Sequence, residues 1–236
     1  MISARLLPDL STLIGEADAS RLRNKGYKII KKKNGYILDR LSSLYLLEKG
    51  RFEIFIDGEK KGFDFLWRKL TEEEKWQYVA YKGLRDLGYK PYLNNDNIFL
   101  NRKRVNVRYY KDIINLSELS VGYFAVVDSD YEPIFYQIKR RNPLLLEIVR
   151  ETYSEIGQSK NKHNKLVVKS GSKFGCDYRI YRNNELHSSL LVNIAKEDDC
   201  KSIVARARIA HSVRKILIYC FEHGGKNKCI SIEWIR

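Results

Sequence analysis

The clearest pattern of hydrophobic and polar positions lies near the end of the chain, where a basic amphipathic stretch runs into an apolar one. Residues 205–215 have helical periodicity, and the uninterrupted apolar run at residues 216–221 indicates a strand. On a helix, Arg208, His211 and Lys215 fall at i, i+3 and i+7, so they would share one face. The adjoining strand indicates that this helix packs on a sheet. A row of cationic or titratable groups there suggests an anionic ligand, although such faces are often only solvated surface.

The rest of the chain alternates between helical and strand patterns. Acidic residues directly after Thr71 and the pair Leu87-Gly88 mark the two ends of one helix. Helices are predicted over residues 37–49, 63–70, 71–87, 112–119, 144–156 and 205–215. Strands are predicted over residues 27–30, 52–56, 98–100, 105–110, 123–127, 134–138, 165–169, 177–181, 189–194, 216–221 and 229–236. Residues 139–143 are predicted to be a linker, because Pro143 stops a strand.

The order of these elements occurs twice. Helix, strands, helix, strand, loop and strand follow one another over residues 71–141 and again over residues 142–236. The first copy has a shorter version of the basic helix, and its loop at residues 128–132 is acidic. We therefore predict a mixed α+β fold in three parts, a small N-terminal α+β subdomain at residues 1–70 followed by the two repeats.

The composition adds a hypothesis about the partner. The chain has 236 residues, of which 44% are hydrophobic, so it can bury a substantial core. Its net charge is +15, from 44 Lys and Arg against 29 Asp and Glu, and it contains 16 Tyr, 9 Phe and 3 Trp. A basic, aromatic-rich protein fits a polyanion, and nucleic acid is the leading candidate. The alternatives are that the charge serves solubility or reflects a lysine-rich proteome.

Cysteine usage and targeting patterns both lead us to expect a cytoplasmic protein. No apolar run approaches the length of a membrane span, and residues 1–14 lack the pattern of a signal peptide. The four cysteines are Cys176, Cys200, Cys220 and Cys229. Since none forms a Cys-x-x-Cys pair, a zinc site is disfavoured and free thiols are expected.

The acidic residues do not form the pattern of a metal-dependent nuclease. Asp177 stands alone in its predicted strand, and Glu185 falls in a predicted turn. We therefore expect neither a metal ion nor another cofactor.

Three segments of the second repeat resemble the archaeal tRNA-splicing endonucleases. They are GSKFGCDYRIY at residues 171–181, HSSLLV at residues 187–192 and ARARIAHSVRK at residues 205–215. Similar segments lie at residues 41–50 and 78–89, so the resemblance spans most of the chain after about residue 27. It implies a tRNA-intron endonuclease fold, like that of restriction endonucleases, with a degenerate structural copy at residues 71–141 and a catalytic copy at residues 142–236.

The resemblance also implies the chemistry. In this family a tyrosine is the general base, a histidine the general acid and a lysine the stabiliser of the phosphorane charge, which here are Tyr181, His187 and Lys215. The implied activity is metal-independent cleavage of precursor tRNA at bulge-helix-bulge intron junctions. The products would be 2′,3′-cyclic phosphate and 5′-hydroxyl ends.

Further residues are implied to bind RNA or to support the site. Arg208 and Arg236 match two arginines that hold a flipped bulge base, while His211 and Ser212 would support the catalytic residues. The gap between Tyr181 and His187 is shorter than is usual in the family, which implies a tighter hairpin there.

Finally, the resemblance implies a homodimer. The acidic residues Asp128, Asp130 and Glu132 match a loop that docks in a basic pocket of the other subunit. Residues 134–138 and 229–236 match the closing strands through which the two copies pair. Two other interpretations stay open at this point, a non-catalytic RNA-binding or structural subunit of the same fold and a metal-dependent DNA nuclease of a related fold.

Overall fold

The computed structural model describes residues 1–154, 166–181 and 185–235. These residues form a mixed α+β fold, as predicted. The chain divides into two units, one of Met1–Val107 with Asp130–Pro133 and the other of Arg108–Ser129 with Ile134–Arg236.

The first unit begins with a six-stranded sheet that the sequence pattern only partly predicted. Its elements are β1 Ile2–Leu6, β2 Thr12–Ile14, α1 Glu16–Asn24, β3 Ile29–Lys32, β4 Gly35–Leu38, α2 Arg40–Glu48, β5 Phe52–Ile56, β6 Glu59–Lys61 and α3 Phe63–Trp67. The strand order is β3-β4-β2-β1-β5-β6, and only β1 and β5 are parallel neighbours. Strand β5 has the predicted bounds. Strands β1 and β2 have five and three residues, too few to establish an alternating pattern.

The predicted helix at residues 37–49 begins three residues later than expected. The Asp39 carboxylate accepts a hydrogen bond from the Ser42 backbone N–H at 2.9 Å and caps the helix there. Ile37 and Leu38 belong instead to strand β4. Because both residues are apolar, they satisfy a helical pattern and a strand pattern equally well.

The first unit continues with α4 Glu72–Asp86, β7 Tyr92–Asn94, β8 Asn97–Leu100 and β9 Lys103–Tyr109, whose last two residues lie in the second unit. Helix α4 confirms its predicted start. The Thr71 hydroxyl accepts from the Glu74 N–H, and the Glu74 carboxylate accepts from the Thr71 N–H at 2.9 Å.

The second unit carries a sheet with helices on both faces. Its elements are β10 Ile113–Asn115, β11 Gly122–Val127, β12 Pro133–Arg141, α5 Leu144–Ser154, β13 Val167–Ser170, β14 Tyr178–Tyr181, β15 Leu190–Ile194, β16 Glu197–Asp199, α6 Cys200–Ser212, β17 Ile216–His223 and β18 Lys226–Trp234. The sheet order within this unit is β13-β14-β15-β17-β18-β12-β11, with β15 and β17 parallel. A short 3₁₀ turn and β10 occupy most of residues 113–118, where a helix was predicted, so that prediction is wrong.

The sheet has a hydrophobic core on each of its two faces, and successive residues along a strand point into different cores. One core lies under α6 and includes Leu191, Leu217, Tyr219, Ile203 and Ala207. The other lies under α5 and includes Leu146, Val149, Val192, Ile218 and Cys220. The period of two along each strand sends neighbouring side chains to opposite faces, so the apolar runs of β15 and β17 fit a sheet covered on both sides.

The prediction of a linker at residues 139–143 is wrong. Strand β12 continues to Arg141 and pairs antiparallel with β18, from Tyr136 opposite Trp234 to Arg141 opposite Cys229. The Glu233 carboxylate accepts from Lys139 Nζ at 2.9 Å and from Arg141 Nη2 at 2.8 Å. Pairing with β18 therefore keeps residues 139–141 in the sheet, and the predicted pairing of the two closing strands is confirmed.

The expectation of four free thiols is also wrong. Cys220 and Cys229 form a disulfide between β17 and β18, whereas Cys176 and Cys200 are free and buried. The hairpin turns at Gly224 and Gly225, both with positive φ, and this turn sets the two cysteines directly opposite each other. No helix in the described parts of the chain is long and apolar enough to cross a membrane.

Candidate active site

Two of the three predicted catalytic residues, His187 and Lys215, line one open cavity of about 720 Å³ in the second unit. Its lining is Phe174, Glu185, Leu186, His187, Ser188, Ser189, Val213, Arg214 and Lys215. The cavity thus combines the loop before β15 with the segment that joins α6 to β17.

Lys215 reaches the cavity because the helix ends before it. Helix α6 ends at Ser212, and Arg214 takes a left-handed φ of 54° that turns the chain out of the helix. The backbone N–H of Lys215 then donates to the Ala210 carbonyl at 2.8 Å, and its Nζ donates to the Ser188 carbonyl. The prediction that Lys215 continues the face of Arg208 and His211 is therefore wrong.

Lys215 stands in a positive field. Burial lowers its pKa from 10.5, and the nearby cations Lys173 and Arg179 lower it further, while Glu185 acts in the opposite direction. The side chain also lies 5.9 Å from the centre of the Phe174 ring. Since like charges destabilise one another, this group of cations favours the approach of an anion.

The segment that carries His187 is fixed to the sheet on two sides. The Ser189 N–H donates to the Ile180 carbonyl and the Ile216 N–H donates to the Ser189 carbonyl, both at 3.1 Å. Ser188 is buried, whereas the imidazole of His187 is exposed to solvent. The strands hold the backbone of this segment, and the side chain faces open space in which a large substrate can bind.

Tyr181 ends strand β14 and is not among the residues that line the cavity. Its half-buried ring lies near two cations, with Lys169 Nζ 5.1 Å and Arg179 Cζ 5.7 Å from the ring centre. Arg179 also acts electrostatically on Lys215, so one guanidinium is near both predicted catalytic residues. Residues 182–184 of the predicted tight hairpin lie outside the described residues.

Comparison with known proteins identifies the family. Residues 160–233 match the family model for the catalytic C-terminal domain of tRNA intron endonucleases. The tRNA-splicing endonuclease of Pyrococcus furiosus is 30% identical over 125 residues, which make up 50% of this chain and 71% of the relative. The chain belongs to the tRNA-splicing endonuclease family.

Other relatives of the same family cover more of the chain. The tRNA-splicing endonuclease of Pyrococcus horikoshii is 29% identical over 164 residues, 61% of this chain and 95% of the relative. That of Picrophilus torridus is 25% identical over 264 residues, 85% of this chain and 88% of the relative. Membership of the tRNA-splicing endonuclease family therefore rests on similarity beyond the C-terminal domain.

Among the described residues, the predicted RNA-binding and supporting residues Arg208, His211 and Ser212 do not line the cavity. Arg208 is exposed on α6, and the His211 ring meets the Trp234 ring edge-on at 5.0 Å. The Ser212 hydroxyl donates to the Ile209 carbonyl of its own helix at 2.8 Å. The other candidate arginine, Arg236, lies outside the described residues.

The acidic loop joins β11 to β12. Asp130 and Glu132 are exposed, and Asp128 is half-buried. Between them, the Tyr131 hydroxyl donates to the Glu72 carboxylate at 3.0 Å, and its ring meets the Trp67 ring at 5.6 Å. These contacts hold Tyr131 within the first unit, and the neighbouring side chains of Asp130 and Glu132 are exposed.

Sequence reasoning missed several residues that build the site. Arg179 was not singled out, although it shares a strand face with Tyr181 at i and i+2, and this spacing could have found it. Arg206 donates to the Gly175 carbonyl at 2.7 Å and to the Asp198 carboxylate, which ties α6 to the loop before β14. No sequence signal links Arg206 to Gly175, because the contact depends on tertiary packing. Among the described residues, no three His, Cys, Asp or Glu side chains cluster closely enough to hold a metal ion.

Proposed function

We propose that this chain cleaves precursor tRNA at bulge-helix-bulge intron junctions and leaves 2′,3′-cyclic phosphate and 5′-hydroxyl ends. The observation that carries the proposal is the presence of His187 and Lys215 in one open cavity, with Tyr181 linked to Lys215 through the shared neighbour Arg179. The chain's family and its net charge of +15 support an RNA substrate.

The proposed reaction is an internal transesterification. Tyr181 removes the proton of the 2′-hydroxyl, and the 2′-oxygen attacks the adjacent phosphorus. The bond from phosphorus to the 5′-oxygen then breaks, and His187 donates a proton to that oxygen. Imidazole suits this role because it exchanges protons near neutral pH. Lys215 stabilises the negative charge that develops on the phosphorane oxygens.

Two cations lie beside the proposed base. Lys169 Nζ and Arg179 Cζ lie 5.1 and 5.7 Å from the centre of the Tyr181 ring, and positive charge there attracts the phosphate that adjoins the reacting 2′-hydroxyl. On the acid side, the exposed position of His187 lets it reach a leaving oxygen without movement of the sheet.

Substrate recognition is proposed to depend on the shape of the RNA. Arg208 is exposed on α6 and available to stack on a flipped bulge base, with Arg236 as its proposed counterpart. Stacking of a guanidinium on a base does not select one base strongly, so recognition of a bulge by shape is expected.

Cleavage of a bulged RNA in the presence of EDTA tests the function. We expect wild-type cleavage to persist and His187→Ala to abolish cleavage while it spares RNA binding. Loss of wild-type cleavage on chelation would favour a metal-dependent nuclease. Binding of RNA by the wild type without cleavage would favour a non-catalytic subunit. Activity retained by His187→Ala would show that the acid is assigned wrongly.

We also propose that the active form is a homodimer. The second unit carries a cavity of about 520 Å³ whose lining includes four cations, Arg140, Arg141, Lys226 and Lys228. The exposed carboxylates of the acidic loop complement this charge, and opposite charges across an interface determine register and partner choice. We propose that the acidic loop of each copy docks in this cavity of the other.

A further inference from the structure

Two basic residues face each other directly across the hydrogen-bonded pair of strands that ends at Tyr181. Lys169 on β13 is the register partner of Arg179 on β14. Like charges directly opposite each other on one face of a sheet are destabilising. Another favourable interaction must therefore offset the repulsion between Lys169 and Arg179.

The described residues do not supply that interaction. No described carboxylate lies within ion-pair distance of Lys169 or Arg179, and among the described residues the side-chain contact of Lys169 Nζ is with the Tyr181 ring. The Nε of Arg179 is buried and has no hydrogen-bond acceptor among the described residues. A buried donor without an acceptor is unfavourable, so an acceptor that binds this guanidinium would be favoured.

Neighbouring cations connect Lys169 with the cavity that Lys215 lines. Lys169 faces Arg179, Arg179 acts on Lys215, and Lys215 lines the cavity with His187. Lys173, on the loop before β14, also acts on Lys215. A series of cations fits a polymer with regularly spaced phosphates better than it fits a single small anion.

We propose that Lys169 and Arg179 bind a backbone phosphate of the RNA strand next to the phosphate that is cleaved. This inference rests on the proposed function, which places the reacting phosphate between Tyr181, His187 and Lys215. The subsite fixes the register of the strand, so that the 2′-hydroxyl to be deprotonated lies beside Tyr181.

Salt dependence of RNA binding tests the subsite. The probe is a bulge-helix-bulge RNA with 2′-deoxy nucleotides at both splice sites, which lacks the attacking hydroxyl and stays intact. Each phosphate contact that is lost lowers the slope of log Kd against log salt by about 0.7. We expect the double variant Lys169→Gln with Arg179→Gln, which removes the whole phosphate contact, to lower the slope by about 0.7, and Lys169→Gln alone to lower it by roughly half as much.

Lys196→Gln is the matched control. Lys196 is an exposed lysine of the same unit that follows the far end of β15, so its loss removes the same charge away from the cavity. Its slope should equal that of the wild type. Lys169 is exposed, and its side chain contacts only the Tyr181 ring among the described residues, so Lys169→Gln is expected to fold even if the double variant does not.

The outcomes separate the subsite from the function. A wild-type slope in Lys169→Gln overturns the subsite, even if a changed pH–rate profile shows that Lys169 acts on Tyr181. An equal loss of slope in Lys196→Gln also overturns it, because the effect would then be general. Failure of the wild type to cleave the all-ribose RNA would overturn the function, while a reduced slope in Lys169→Gln would still support a phosphate site.

Discussion

At the level of single residues, the candidate site depends on the backbone conformation of Arg214. Its left-handed φ of 54° ends α6 and turns Lys215 towards His187. A non-glycine residue in that region costs about 1–2 kcal/mol, which the hydrogen bonds of the turn must offset. The helical spacing of Arg208, His211 and Lys215 was therefore misleading, because a spacing argument holds only as far as the helix continues.

The position of Lys215 has a cost in stability that predicts the behaviour of Lys215→Gln. Its folded-state pKa lies below 10.5, so the folded chain holds this proton more weakly than the unfolded chain does. The resulting penalty is present at neutral pH and disappears as the pH rises past 10.5. Lys215→Gln relieves this penalty, so we expect no loss of stability. Because the phosphorane loses a stabilising cation, cleavage at neutral pH should fall by roughly 100-fold or more.

Cleavage under single-turnover conditions and thermal unfolding at pH 7 check this prediction. Lys201→Gln, an exposed lysine in the first turn of α6, is the control and should keep its activity. A melting temperature of Lys215→Gln several degrees below that of the wild type would contradict the prediction of unchanged stability. That result would mean that the bond from Lys215 to the Ser188 carbonyl outweighs the repulsion.

At the level of helices and strands, the sequence predicted elements whose signal is local. Helix α4 has its capping box within four consecutive residues, and β5 is a short apolar run that ends at a turn. Elements that depend on a distant partner were missed. The basic end of β12 is kept in the sheet by pairing with β18, and the disulfide depends on a hairpin register that joins Cys220 to Cys229.

The candidate site divides in the same way. His187 and Lys215 were found because they lie in recognisable segments. Lys169, by contrast, comes into view only when β13 pairs with β14, since its importance depends on the residue opposite it. The two residues that line the cavity could thus be predicted from the segments in which they lie. A residue whose proposed role depends on a partner on the neighbouring strand could not.

Arg206 links helix α6 to the loop at Gly175, and we predict that Arg206→Met loosens both. Arg206 donates to the Asp198 carboxylate, to the Tyr219 hydroxyl at 3.2 Å and to the Gly175 carbonyl at 2.7 Å. Removing one member of a mostly buried ion pair leaves the other without compensation. The free energy of unfolding should fall by about 3 kcal/mol, the lower end of the range for such pairs, because both side chains keep some solvent contact.

Urea denaturation measures this change, and Lys201→Gln on the same helix again provides the comparison. Cleavage should also fall, since the loop at Gly175 follows Lys173 and Phe174, which surround Lys215. An unfolding midpoint equal to that of the wild type would show that the network is dispensable. Loss of cleavage with unchanged stability would instead give Arg206 a direct part in the site.

At the level of the whole molecule, the acidic loop and the cationic cavity present opposite charges at different places on the surface. The acidic loop is anchored by Tyr131 and presents Asp130 and Glu132, whereas the cationic cavity near the β17–β18 hairpin presents Lys226 and Lys228. Two copies related by a two-fold axis can satisfy both charges at once, because such an interface uses each surface twice. A solution mass of twice 27.8 kDa is therefore expected.

Charge reversal on each surface in turn provides a strict test of this dimer. Asp130→Lys with Glu132→Lys, and separately Lys226→Glu with Lys228→Glu, should each weaken the dimer towards the mass of one chain, 27.8 kDa. Mixing the two variants should restore a dimer, because the reversed loop then meets the reversed cavity while the native loop of the second chain meets the native cavity of the first. Light scattering measures all three masses. If each variant alone stays dimeric, or if the mixture stays monomeric, the loop docks elsewhere.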